Sequence, residues 1–349
     1  MPQVQAYAAQ SATTPLAPLS INRREVTPND IEIDIFYCGV CHSDIHMARD
    51  EWGMNSIYPM VPGHEIVGRV TNVGNQVSGF KKDDLVGVGV LVDSCRECQS
   101  CKDDLEQYCE NGSTPTYGAE DKRHGGITYG GYSKQIVVDK AFVLSVPENI
   151  DTKAVAPLLC AGITTWSPLR HWNVSKGMQV GIIGLGGLGH MGVKFAKALG
   201  AEVTMITTSE SKGKDAVKLG ADHVLLSKDP KQMEAFKSRF DFLLNTVPVS
   251  HDVNPYVPLL KRDGTMAMVG AIEQLEPGVD SAQLIFGRKS IAGSLIGGLK
   301  ETQEMLDFCG EHNIVSEVEM IKMQEINQAY TRMIKGDVKY RFVIDMTSL

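Results

Sequence analysis

Several things are missing from this sequence of 349 residues, and each absence removes a class of function. There is no basic excess: Asp and Glu outnumber Lys and Arg by 42 to 34, for a net charge of -8, so no chain-wide positive field draws in nucleic acid or an anionic membrane surface. No apolar run reaches the roughly 18 residues needed for a membrane helix. Met1 to Pro18 lacks a basic stretch followed by an apolar core, so the expected home is the cytoplasm. Internal repeats, low-complexity tracts and long linkers are also missing. Cysteine is scarce too, with 8 residues, which is too few for a disulfide scaffold in a chain this long. The composition is that of a globular protein acting on small molecules, and the length predicts about two domains.

The few cysteines are unevenly placed. Cys95, Cys98, Cys101 and Cys109 follow the spacing C-x2-C-x2-C-x7-C, so that one short loop sets four sulfurs around a tetrahedral ion. Zinc suits such a closed, structural site, and an iron-sulfur cluster is the competing reading. Four thiolates leave no open position for substrate.

A catalytic zinc needs three protein ligands and one open position. Candidates are scattered: Cys41 in Cys38-Gly39-Val40-Cys41-His42-Ser43-Asp44, His64 in Gly63-His64-Glu65, and Cys160. Alone, each is more ordinary as a core thiol or a satisfied imidazole. Spacing does not decide between Cys38 and Cys41, nor between His64 and Glu65.

Two textures divide the chain. Up to about residue 150, short alternating stretches such as 31–35, 67–73, 85–90 and 132–138 have the period of half-buried strands. Beyond that, apolar runs alternate with helical spacing: 180–183, 203–206, 223–226, 240–246, 265–269 and 290–294 predict six strands of a doubly wound parallel sheet. Two more helix patterns, 301–312 and 324–335, precede a last strand-like run at 340–345, whose parent domain periodicity does not decide.

Between the first of these strands and its helix runs Gly184-Leu185-Gly186-Gly187-Leu188-Gly189, a G-x-G-x-x-G loop in the setting that binds a dinucleotide pyrophosphate at a helix N-terminus. The next strand ends in Thr207-Thr208-Ser209, where an NAD-specific site carries an acid, and Lys212 and Lys214 follow. This predicts NADP(H), with Thr207, Ser209 and Lys212 around the 2′-phosphate. Under the counter-reading Glu210 supplies the acid and the lysines form a solvated face.

Together these motifs, with Val61-Pro62-Gly63-His64-Glu65 and Lys339-Tyr340-Arg341-Phe342-Val343-Ile344-Asp345, resemble the zinc-dependent medium-chain alcohol dehydrogenases, and within them the cinnamyl-alcohol-dehydrogenase and broad aldehyde-reductase branch. The resemblance implies an α/β protein: a GroES-like β-rich catalytic domain of residues 1–148 and 289–349, and a Rossmann domain of 149–288. It implies that Cys41, His64 and Cys160 hold the catalytic zinc, with Glu65 as an additional ligand of the resting metal, and that the four-cysteine loop holds a second, structural zinc. It further implies that Ser43 and His46 pass the reaction's proton, that Asp44 orients His64, and that Thr246, Val269, Gly270, Ser294 and Arg341 join the glycine loop in binding coenzyme. By the same analogy the chain is a homodimer joined through Rossmann sheet edges near Ile291 to Leu295.

Trp52, Tyr58, Trp166 and Ile296 are the candidate pocket residues, favouring aromatic or medium-chain aldehydes and alcohols as substrates. Thr208 and Gly213 depart from the pattern, standing where some NADP-using relatives carry basic residues. Two rival readings remain: a zinc-free quinone or enone reductase on the same fold, and a non-catalytic protein that binds dinucleotide and zinc.

Overall fold

The computed structural model describes residues 3–270 and 272–349. The chain forms two compact units, one of residues 1–160 with 297–349 and the other of residues 161–296. The first changeover falls later than 148 because Thr152–Val155 and Ala156–Leu159 pack on strands of the first unit, and the second falls at 296, later than 288.

The first unit is built on a seven-stranded sheet whose long central strand is Asp30–Val40. Its residues alternate as the sequence predicts, with Ile31, Ile33 and Ile35 at most 3% exposed. Ile66–Val73 and Gln135–Asp139 pair antiparallel with it, and Arg341–Asp345 pairs with its far end. Val318–Lys322 extends the sheet in parallel with Arg341–Asp345, which settles where the C-terminal tail belongs.

One predicted strand is shorter than expected: the run 132–138 is a strand only over Gln135–Asp139. Before it, Gly130 and Gly131 are pressed against Pro62 and Gly63, where a β-carbon on Gly130 would meet Gly63 O at 2.4 Å. The backbone there bonds to a loop instead, with Tyr132 N donating to Pro62 O at 2.9 Å.

The second unit is the predicted six-stranded parallel sheet. Its spatial order is His223–Leu226, Glu202–Thr207, Gln179–Ile183, Phe240–Asn245, Leu260–Met268, Ser290–Gly293. The order runs outward in both directions from Gln179–Ile183, the arrangement in which ligands lie at the carboxyl ends of the strands. Ile183, Ile206, Leu225, Phe240, Leu243, Leu260 and Met266 form its core, all at most 1% exposed.

Candidate metal centres and coenzyme loop

Three strand ends of the first unit bring distant residues together. Register places Cys38 opposite Ile66 and Val40 opposite Phe342, so Cys41, Glu65 and Arg341 follow or precede paired positions at one end of the sheet. Gly39 makes room there, since a β-carbon on it would lie 1.8 Å from Glu65 Oε2. Cys160 arrives from Ala156–Leu159, whose Leu159 packs against Gly87 and Gly89 of the same unit.

The result is one group: Cys41, His64, Glu65 and Cys160 offer ligand atoms that all lie within 4.8 Å of one another. Cys38 is not among them; its thiol is fully buried between Gly63 and Gly131, and burial drives its pKa well up. Cys41 Sγ and Cys160 Sγ are 4.0 Å apart and unbridged, and the Cys160 thiol beside it holds Cys41 well below the ordinary thiol range. Burial pushes the Glu65 carboxyl up to about 7 against the pull of Arg341, which donates to Glu65 Oε1. Glu65 Oε2 is buried and accepts no hydrogen bond from the described residues. Two thiols, an imidazole and an unmatched carboxylate oxygen in one dry cluster fit a zinc ion.

Around this group the helix His42–Ala48 sets the remaining predicted residues. Asp44 caps its first turn by accepting from Cys41 N at 2.9 Å, and takes His64 Nδ1 at 3.0 Å on its other oxygen. Ser43 Oγ is 3.6 Å from Cys41 Sγ. His46 Nδ1 donates to Glu51 Oε2 at 2.6 Å, and its ring stacks on Trp52 at 5.1 Å. Glu51 and Tyr132, whose hydroxyl donates to Asp44 Oδ2 at 3.3 Å, were missed by sequence reasoning. Glu51 sits on the turn after the helix and had a local signal, an acid five residues past a histidine; Tyr132 had none.

Cys95, Cys98, Cys101 and Cys109 form a second group of the same tightness. Backbone N-H groups are already aimed at three of the sulfurs: Cys98 N to Cys95 Sγ at 3.3 Å, Glu110 N to Cys98 Sγ at 3.4 Å and Cys95 N to Cys109 Sγ at 3.4 Å. Such donors stabilise thiolates, and with the Glu97 N-H in the lead they draw Cys95 down to about 6. The loop fits a four-thiolate metal. Arg96 supplies a left-handed turn inside it, with φ at 64°, and bonds to Asp93 and Asp139.

In the second unit, Gly184 has φ of 89° and Gly189 touches it so closely that a β-carbon would lie 1.9 Å from Gly184 O. A β-carbon on Gly186 would meet nothing within 4 Å, leaving an open cradle at the start of the helix Gly189–Ala198. Leu185, Gly187 and Leu188 complete the loop. Thr246 Oγ1 lies 2.9 Å from both Ile183 O and Gly184 O, so its hydroxyl braces the loop. Val269 N donates to Asn245 O, Ser294 N to Met268 O, and Gly270 lies against Val247 O, all near strand ends.

Ser209 caps the helix Glu210–Lys218, and its backbone N-H donates to Thr207 Oγ1 at 3.3 Å. Lys212 and Glu210 are exposed. A side chain at Gly213 would meet Val224, which stands 2.6 Å from where a β-carbon would be. Arg341, grouped by sequence with the coenzyme residues, lies in the first unit and is bonded to Glu65. Of the candidate pocket residues, Trp52 and Tyr58 lie in the first unit and Trp166 and Ile296 in the second.

Residues 27–148 match the alcohol dehydrogenase GroES-like domain and residues 187–311 the zinc-binding dehydrogenase family. Aldehyde reductase YahK of Escherichia coli (strain K12) is 54% identical over 349 residues, covering 99% of each chain. A cinnamyl alcohol dehydrogenase of Sorghum bicolor superposes with a TM-score of 0.95 at 43% identity, covering 99% of this chain and 98% of the other. A CAD of Helicobacter pylori solved with NADP(H) gives 0.91 at 44% identity, with the same coverage. With both domains matched, the fold shared and identity above half over the full length, this chain belongs to the zinc-binding alcohol dehydrogenases.

Proposed function

We propose that this enzyme interconverts aromatic or medium-chain aldehydes and alcohols with NADP(H), using a zinc ion held by Cys41, His64 and Cys160, with Glu65 as an alternative ligand. The carrying observation is the buried cluster of those four side chains, standing apart from a complete four-cysteine group in the same unit. A single-metal protein of this fold would need only the second.

When bound, the metal supplies an electrophile and the coenzyme a hydride. The chain's own residues do the rest. Asp44 fixes the His64 tautomer by accepting its Nδ1-H, so that Nε2 faces the ligand group. Arg341 neutralises Glu65 and restrains it within reach of the other ligand atoms. Ser43, next to Cys41, holds a proton at Oγ for the reacting oxygen. His46, its Nδ1 occupied by Glu51 and its ring about a third exposed, keeps Nε2 free to carry that proton to solvent.

The coenzyme reading rests on the open cradle at Gly186 and on the hydroxyl and lysine residues Thr207, Ser209 and Lys212, where an acid would repel a 2′-phosphate. It is supported by the H. pylori relative solved with NADP(H). Thr246 braces the loop, and Val269, Gly270 and Ser294 complete the proposed coenzyme set of the second unit, while Arg341 is engaged with Glu65 in the first.

We place the enzyme in the cytoplasm; no described helix is long and apolar enough to cross a membrane. A homodimer is proposed through the edge strand Ser290–Gly293, beside which Ile285 and Phe286 are 73% and 90% exposed.

Metal analysis combined with NADPH consumption over a panel of aldehydes tests the reading. Two zinc ions per chain with turnover is the expected result. One zinc with turnover on enones would make it a quinone reductase, and two zinc ions without turnover a binding protein.

A further inference from the structure

The carboxylate of Asp44 is completely buried and takes four donors on its two oxygens. Oδ1 accepts from His64 Nδ1 at 3.0 Å and Gly63 N at 3.1 Å, and Oδ2 accepts from Cys41 N at 2.9 Å and Tyr132 Oη at 3.3 Å. Three of these donors belong to the proposed ligand segments themselves. The fourth comes from 88 residues away.

Tyr132 is held firmly where it stands. Its side chain is fully buried, its N-H donates to Pro62 O and its carbonyl accepts from Tyr7 N, both at 2.9 Å. The ring lies flush on Gly63, where a β-carbon would approach Tyr132 Cδ1 to 2.7 Å. Bulk alone would be served by phenylalanine, whereas a buried hydroxyl is costly unless it is bonded. Burial and the Asp44 charge push the phenol well above its ordinary pKa, so it remains a donor.

We propose that Tyr132 is a positioning residue for the metal ligand His64, acting through Asp44. Its hydroxyl anchors Oδ2, which leaves Oδ1 aimed at His64 Nδ1 and keeps Nε2 directed at the metal. The inference rests on the proposed reading of Cys41, His64 and Cys160 as ligands. Groups bonded directly to a metal ligand, as Asp44 is to His64, contribute about 10- to 100-fold in affinity. Tyr132 acts one bond further out, so the low end applies.

The test uses the intact enzyme with both metals, comparing wild type, Tyr132→Phe, Asp44→Asn and the double variant. Metal release to a competing chelator gives affinity, and the visible spectrum of the Co2+-substituted enzyme reports the ligand geometry. Tyr132→Phe is expected to weaken one metal by about ten-fold and shift the cobalt spectrum, with the four-cysteine metal and NADPH binding unchanged. In the Asp44→Asn background the same substitution should add nothing. Wild-type affinity with an unshifted spectrum, or an undiminished effect in that background, would overturn the proposal while leaving the metal reading intact. A wild-type chain that holds only one metal would overturn both.

Discussion

At the scale of single residues, small hydroxyl and glycine positions decide chemistry that larger side chains would block. Ser209 both caps a helix and stands where a carboxylate would select NAD. Ser209→Asp should lower kcat/KM for NADPH relative to NADH by about ten-fold or more, the worth of one charge-assisted hydrogen bond, and Lys212→Ala should act in the same direction. Steady-state kinetics with both coenzymes check this, and a native preference for NADH would refute it. A second residue-scale case is Asp30, 1% exposed at the start of the strand that leads to Cys41. Burial alone would raise its carboxyl, but donors from Arg24 and from Thr27 N outweigh that and hold it below the usual carboxylate range. A depressed folded pKa means that its stabilisation is present above about pH 4, the unfolded value, and is lost as pH falls through the lower folded value. Asp30→Asn should therefore cost about 2 kcal/mol at pH 7 and progressively less in acid, read from denaturant melts across pH.

At the scale of elements, the four-cysteine loop does more than close on itself. Its segment Asp104 to Glu106 lies over the start of the helix Leu299–His312, where Leu299 N donates to Glu106 Oε2 at 3.0 Å and Gly298 leaves no space for a β-carbon beside Asp104 O. A metal held by the four cysteines would thus secure a helix cap supplied from almost 200 residues away in sequence. Cys101→Ser should lower the melting temperature and speed amide exchange at the first turn of that helix. Cys41→Ser should abolish turnover yet leave NADPH binding, as titration by coenzyme fluorescence would show. The reverse pattern would exchange the roles of the two cysteine groups.

At the scale of the whole molecule, an exposed pair at Ile285 and Phe286 is unusual for a finished surface. Phe286→Glu should convert the proposed dimer to monomer in sedimentation, without loss of zinc. A wild-type chain that sediments as a monomer would remove the interface. The same scale separates what local pattern reveals from what it hides. Six parallel strands, the glycine loop and the four-cysteine spacing were readable because each is a local periodicity or a short motif with one physical purpose. Their order in the sheet, and the attachment of the tail through Arg341–Asp345, depended on pairing partners far along the chain.

By itself the sequence determined residue chemistry at short range: two thiol-rich places, a phosphate-sized glycine turn, and a strand end without an acid. Local spacing left open which thiol joins which imidazole; the family resemblance pointed to Cys41, and the tertiary structure supplies the physical reason, since antiparallel register carries Cys41 and Glu65 to one sheet end and sends Cys38 inward. The pairing of Tyr132 with Asp44 and of Arg341 with Glu65 belongs to the same level. Contacts spanning 88 and 276 residues leave no periodic trace, since the energy that fixes them comes from burial and exists only once the sheet has closed around them.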